Sequence, residues 1–189
     1  MVIAEARRTY TYLSLFGYRV DAVVANRLLP DDITDPWFKK WHELHAEHLA
    51  TIESSFDPLP VLRAPLAADE LVGPERLREF AKTVYGDRDP AAVLHEGEVL
   101  KVTRRAGSYH LTLQLPFADH DDLEVGRKDD ELLVRVGPYR RAVLLPDSLR
   151  RRAITDATLR QGKLRVVFKG DEPTPVDGGR ARTRRGARR

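Results

Sequence analysis

Asn26 closes the run Val20-Asp21-Ala22-Val23-Val24-Ala25-Asn26, an apolar, β-branched stretch between Gly17 and Pro30. Such a run suits a strand covered on both faces, as in a parallel sheet. Ligands of open α/β sheets bind outside the carboxyl ends of the strands, where Asn26 falls. An Asn amide sets one acceptor beside one donor and so matches the N6/N7 edge of adenine. The alternative is an Asn that caps a loop. His42, His45 and His48 invite a metal site. Steps of three residues turn a helix by about −60° each, so His42 and His48 lie far apart around its axis. The reading is therefore no metal, a core or interfacial His48 and a solvated His42. Within these 189 residues there is no Gly-x-x-x-x-Gly-Lys-Ser/Thr. No P-loop cradles a phosphate, no lysine reaches one, and no catalytic residue is expected. With no cysteine there is no thiolate metal site and no disulfide framework.

The elements that must position Asn26 come from a chain long enough for one large domain or two small ones. The hydrophobic fraction of 42% supports a core. No 18-residue apolar run and no basic-then-apolar leader pattern occur, so a cytoplasmic location without a transmembrane segment is expected. The net charge of +3 is unevenly spread: six of the 32 basic residues lie at Arg180, Arg182, Arg184, Arg185, Arg188 and Arg189, leaving 26 against 29 acids. That tail reads as disordered and solvated, and no nucleic-acid partner is expected; the other reading of it is an arm for nucleic acid or a membrane surface.

In chain order, Val2 to Phe16 reads as a helix with an apolar stripe of Val2, Ala6, Thr9, Leu13 and Phe16, ended by Gly17. No Ser, Thr, Asp or Asn precedes it as a cap, so the chain reads as beginning inside an element. After the strand, Asp35 and Pro36 form a helix start. The helix runs to about Ser54, with Trp37, Trp41, Leu44, His48 and Ile52 as its stripe. Leu59 to Leu66 reads as a short strand, and a helix with Leu77, Phe80, Ala81 and Val84 on one face ends at Gly86. The order α-β-α-β-α implies a parallel sheet. Two strands are fewer than a stable sheet holds, so exposed apolar surface is expected over the first ninety residues. A linker begins at Gly86-Asp87-Arg88-Asp89-Pro90. Beyond it the period becomes twofold: Tyr109, Leu111, Leu113 and Leu115 alternate with His110, Thr112 and Gln114. Seven short strands at Glu98–Arg104, Tyr109–Leu115, Leu123–Arg127, Glu131–Val136, Tyr139–Leu145, Ala153–Leu159 and Lys163–Lys169, with no helix, read as a β-sandwich.

Glu5-x-x-Arg8, Val24-Ala25-Asn26-Arg27-Leu28-Leu29-Pro30, Trp41, Pro60-x-x-x-x-Pro65-Leu66, Glu70-x-x-Gly73 and Tyr85-Gly86 occur in that order. The set resembles the C-terminal half of ArsA-type ATPases, the arsenite-pump and tail-anchored-protein-targeting family. Leu145-Pro146 and Ala157-x-Leu159-x-x-Gly162-x-Leu164 resemble the closing strands of the α-crystallin domain of small heat-shock proteins. The fold class implied is α/β plus all-β: a partial P-loop NTPase-type sheet of two strands and three helices over 1–86, a linker over 87–97, a seven-stranded α-crystallin-type β-sandwich over 98–170 and a disordered tail over 171–189. The resemblance implies that Asn26 reads adenine, that Pro65 and Leu66 pack beside the base, and that Glu5 and Arg8 are structural. It places a nucleotide-contacting glutamate just upstream of Met1 and implies a nucleotide-gated homodimer.

Magnitudes limit what this chain does with nucleotide. A bidentate amide–base contact is worth about 1–3 kcal/mol, whereas millimolar affinity requires about 4 kcal/mol. ATP and Mg are therefore expected only in a complete ATPase, and neither is expected to bind this chain alone. The first reading is the C-terminal portion of an ArsA-family ATPase, inactive by itself, whose partner is an upstream half or separate subunit. The second is a non-enzymatic, chaperone-like module that binds a client protein or peptide through sandwich edges.

Overall fold

The computed structural model describes residues 1–105 and 107–170, so the expected disorder of the Arg-rich tail lies outside the described residues. The chain forms two compact units, Val20–Glu96 and a second made of Met1–Arg19 with the chain from Gly97 onward.

The Val20–Glu96 unit is built on a parallel pair, β1 (Val23–Leu28) and β2 (Val61–Pro65). Asp35 accepts a 2.8 Å bond from Trp37 N and opens a 3₁₀ turn, Pro36–Phe38, that leads into α2 (Lys39–Phe56). That cap satisfies a donor the helix start leaves open. Helix α3 (Pro74–Tyr85) starts on a proline and stops at Gly86, whose φ of 59° suits a residue without Cβ. Helix α2 contacts both strands and α3 contacts β2.

Two expectations about burial fail in this unit. Of β1 only Ala25 is buried, and Val24 is 52% exposed, so the strand is not covered on both faces. The cause is the two-stranded sheet, which has too few neighbours to bury an apolar run twice over. On α2 the sheet-facing stripe is Phe38, His42, His45, Leu49, Ile52 and Phe56, at helical spacing. The anticipated stripe is rotated away from it: Trp37, Trp41 and Leu44 are exposed, as is His48, while Ile52 is half-buried. His48 is thus the solvated histidine and His42 the interior one, the reverse of the sequence reading. The aromatic stripe misled because tryptophan marks apolar surface without saying which side is filled. Exposed apolar surface over the first ninety residues is present as expected, Val72 and Leu77 included.

The second unit is a sandwich of β3 (Leu100–Arg105), β4 (Ser108–Gln114), β5 (Leu123–Lys128), β6 (Glu131–Val136), β7 (Tyr139–Leu144), β8 (Ala153–Arg160) and β9 (Lys163–Lys169). Its sheets run β3-β4-β9-β8 and β5-β6-β7, antiparallel throughout. Leu111, Leu113, Leu132, Val134, Leu164, Val166 and Phe168 fill the space between them, as period-two alternation requires. One helical turn, α4 (Asp147–Arg150), interrupts the expected run of strands. Pro146 leads into it, and its Leu149 is completely buried in the sandwich core, which a four-residue segment cannot announce by periodicity.

The first helix, α1 (Val2–Leu15), read from the sequence as part of the α/β segment, belongs instead to this unit and packs on β4 and β6 of the sandwich. Leu15 is fully buried in the sandwich core, worth about 1.5–3 kcal/mol for a leucine. The Thr11 hydroxyl donates to Pro116 O, and the Arg141 guanidinium donates to Leu15 O at 2.6 Å. A cation there meets the negative end of the helix dipole. Partial burial lowers the Arg141 pKa from its usual value. Val2, Ala6, Thr9, Leu13 and Phe16 face solvent, and the buried face carries Thr11, Ser14 and Leu15 instead. Hydroxyls beside Leu15 are accepted there because Thr11 has a carbonyl to bond, which an apolar-stripe argument does not count.

Candidate functional site

The parallel pair brings Asn26, Pro65 and Leu66 together. Asn26 is in register with Ala64, the ladder then shifts at Arg27, and Leu28 is matched to Pro65. Leu66 N donates to Leu28 O at 2.7 Å. The three residues thus cluster at the carboxyl ends of adjoining strands, where α/β sheets place ligands. Asn26 is exposed, Pro65 half-buried and Leu66 39% exposed.

Asn26 is oriented by its own strand. Its Oδ1 accepts from Arg27 N at 2.9 Å, and Arg27 holds φ at 62°. A left-handed arginine is uncommon, and such residues collect where the surrounding structure over-determines them. The bulge turns the amide so that one Oδ1 lone pair is taken and the other stays open. Its NH₂ has no hydrogen-bond partner among the described residues. The group offers one acceptor and one donor pair, the complement of the adenine N6/N7 edge.

The segment after the bulge is held by α2. Leu29 N donates to His45 Nδ1 at 3.2 Å, and His42 Nε2 lies 3.1 Å from Ile33 O. Sequence reasoning missed both bonds; the signal was there, since His42 and His45 fall at i and i+3 on the inner stripe. It also missed Asp21, just before β1. Asp21 Oδ1 accepts from Leu94 N and His95 N at 2.8 Å each. The Leu94 bond first, then the His95 bond, hold its carboxyl below the usual range.

No three His, Asp or Glu side chains gather to hold a metal ion among the described residues. Glu5 and Arg8 form an exposed i,i+3 pair at 3.0 Å, a contact of little energetic weight. The sandwich unit has a concavity of its own, a cleft of about 190 Å³ lined by Arg7, Thr11, Tyr12, Phe117, Asp119 and Asp122 among others. There Arg7 sits 5.4 Å over the Phe117 ring; outside the cleft lining, Tyr10 meets that ring edge-on at 6.3 Å, and burial raises its pKa. No helix among the described residues is long and apolar enough to cross a membrane.

Comparison with known proteins divides the chain between residues 86 and 106, so α1 falls within the first match although it packs on the sandwich. Residues 1–86 match the anion-transporting ATPase family, and residues 106–168 match the HSP20-like domain found in ArsA. A protein of Prosthecochloris vibrioformis named "Putative arsenical pump-driving ATPase" is 36% identical over 168 residues, covering 89% of this chain and 42% of its own length. A Chlorobaculum tepidum protein of the same name is 35% identical over 168 residues with the same coverage. The chain therefore spans less than half the length of these relatives. Among solved structures, the small heat shock protein AgsA of Salmonella typhimurium, in a C-terminally truncated form, aligns with a TM-score of 0.30 at 17% identity, over 41% of this chain and 97% of that one. The matches to both segments make this chain an ArsA-family ATPase-like protein with an HSP20-like domain, the pairing that its motifs resemble.

Proposed function

We propose that this chain supplies the adenine-reading end of an ArsA-type ATP site, with Asn26 on the base edge and Pro65 and Leu66 beside the ring. The phosphate end, with its P-loop and Mg, comes from an upstream ATPase portion or a separate subunit, and the complete assembly hydrolyses ATP in a nucleotide-gated homodimer. Anion pumping or protein targeting is the output. One observation carries the reading: a parallel pair ends at an oriented Asn26, while among the described residues each strand pairs on one side only and Val24, Trp37 and Trp41 stay uncovered. Such a sheet is a partial one. The phosphate contacts that lift a base contact of about 1–3 kcal/mol to useful affinity belong to the other portion.

Isothermal titration of this chain with MgATP is expected to give no micromolar binding. Hydrolysis is expected when a P-loop portion is supplied, with adenine preferred over guanine and that preference lost in Asn26→Ala. Micromolar MgATP binding by the chain alone, or an Asn26→Ala assembly that keeps its base preference, would overturn the proposal.

The sandwich supports a second reading, a chaperone-like role. Among the described residues strand β7 pairs only with β6, and it carries Tyr139 at 44% and Leu144 at 64% exposure. An open edge with apolar side chains suits addition of a client strand. The chain then suppresses aggregation of a model client without nucleotide; no suppression excludes this role.

A further inference from the structure

We infer that His42 and His45 are positioning residues for Asn26, an inference that rests on the adenine-reading role proposed above. The observation is their placement. Both sit on the inner stripe of α2, half-buried, and each bonds the backbone of the segment that follows the β1 bulge. Beyond the bulge the sheet no longer satisfies that segment: the last ladder bond is Leu66 N to Leu28 O. Leu29 N and Ile33 O then need other partners, because buried backbone groups left unpaired are destabilising. His45 accepts at the first and His42 donates at the second. Both bonds are made by one tautomer, with the proton on Nε2: His45 then presents a bare Nδ1 and His42 an Nε2–H.

The link to Asn26 runs through Arg27. Arg27 N donates to Asn26 Oδ1 from the peptide plane that lies between Asn26 ψ and the Arg27 φ of 62°, and that dihedral persists only if the chain is held on both sides. Upstream the hold is the register of Asn26 with Ala64. Downstream it is Leu28 O with Leu66 N, then Leu29 N with His45. Releasing Leu29 lets the Asn26–Arg27 peptide plane flip as Arg27 relaxes to a right-handed or extended φ, which carries Arg27 N–H away from Asn26 Oδ1 and frees the amide to turn. These histidines act through Asn26 and do not touch the base.

The test uses the reach of two amides. Asparagine places its carbonyl oxygen near the position of Nδ1, and glutamine places its amide nitrogen near the position of Nε2. His45→Asn and His42→Gln therefore keep each bond, whereas His45→Gln and His42→Asn lose it. Hydrogen exchange on the intact chain is expected to leave Leu29 within about threefold of the parent in His45→Asn and to accelerate it at least tenfold in His45→Gln. The Asn26 side-chain NH₂ resonances are expected to stay dispersed in the retaining pair and to average in the losing pair. In an assembly completed with a P-loop portion, the losing pair is expected to raise KM for MgATP at least fivefold with kcat unchanged. Four variants that behave alike in exchange would overturn the brace. A crossed exchange pattern with an unchanged KM would overturn its positioning role. An Asn26→Ala assembly with normal KM would instead sink the adenine reading and leave the exchange result standing as a measure of the brace alone.

Discussion

Replacing Gly162 with alanine separates two penalties that a tight turn imposes. Gly162 joins β8 to β9 with φ at 67°, and a Cβ there would lie 3.0 Å from Pro116 Cα and 3.4 Å from Leu115 O. Both neighbours are backbone, and Leu115 N is itself bonded to Gly162 O at 2.7 Å, so neither yields easily. Left-handed backbone costs an alanine about 1–2 kcal/mol, and forcing a methyl into a packed site adds about 1–3 kcal/mol. Gly107 serves as the reference, because it has φ at 77° and nothing within 4 Å of its would-be Cβ. Gly107→Ala therefore shows the dihedral term alone, about 1–2 kcal/mol. Gly162→Ala is expected to lose about 2–5 kcal/mol from the two terms together. The assay is native-state hydrogen exchange of Leu111, Leu113 and Val166 in the sandwich, which reports this unit without assuming that both units unfold together. Equal losses in the two variants would refute the steric argument and with it the packing of the Leu115–Pro116 turn on Gly162.

Arg127 donates through Nε to Asp129 O at 2.9 Å and through its two Nη atoms to Arg150 O and Arg152 O. Arg127→Met is expected to destabilise the sandwich by about 2–4 kcal/mol, since a hydrogen bond to a charged group contributes about 1.5–3 kcal/mol net and these three share one half-buried side chain; urea denaturation followed at β9 amides measures it. Arg141→Met should loosen α1 by about 1–2 kcal/mol, seen as faster exchange at Phe16 and Gly17, whose N–H groups bond Tyr12 O and Ser14 O. Asp21 has a folded pKa below its ordinary 3.8, so between the two values the unfolded chain binds more protons. Its hold on Leu94 and His95 is fully present above pH 3.8 and is lost as pH falls through the lower folded value; amide shifts of those two residues along an acid titration check it, and no inflection below pH 3.8 would contradict it.

The sandwich was the most legible part of the sequence. Period-two alternation around Leu111, Leu113 and Leu115 fixes both strand and face, because half-buried antiparallel strands display their burial directly. The strand bounds at Glu131–Val136 and Lys163–Lys169 agree residue for residue with the sequence reading. In the Val20–Glu96 unit the elements were legible but their faces were not. A stripe on α2 predicts burial somewhere, and with a two-stranded sheet much of it stays open. The grouping of Asn26, Pro65 and Leu66 was readable only through the family motif. Neither the left-handed Arg27 nor the bonds of His42 and His45 leave a mark in composition, because each depends on where the ladder breaks.

The most direct measurement is on the protein isolated from its own cells through an affinity handle at the C-terminus. Its intact mass is determined, with a search for P-loop peptides in whatever remains attached. The account predicts P-loop sequence in stoichiometric amount, either in one chain well above 21.5 kDa or in a second subunit, together with MgATP hydrolysis. A 21.5 kDa chain without any P-loop partner, and without ATP hydrolysis, would contradict it.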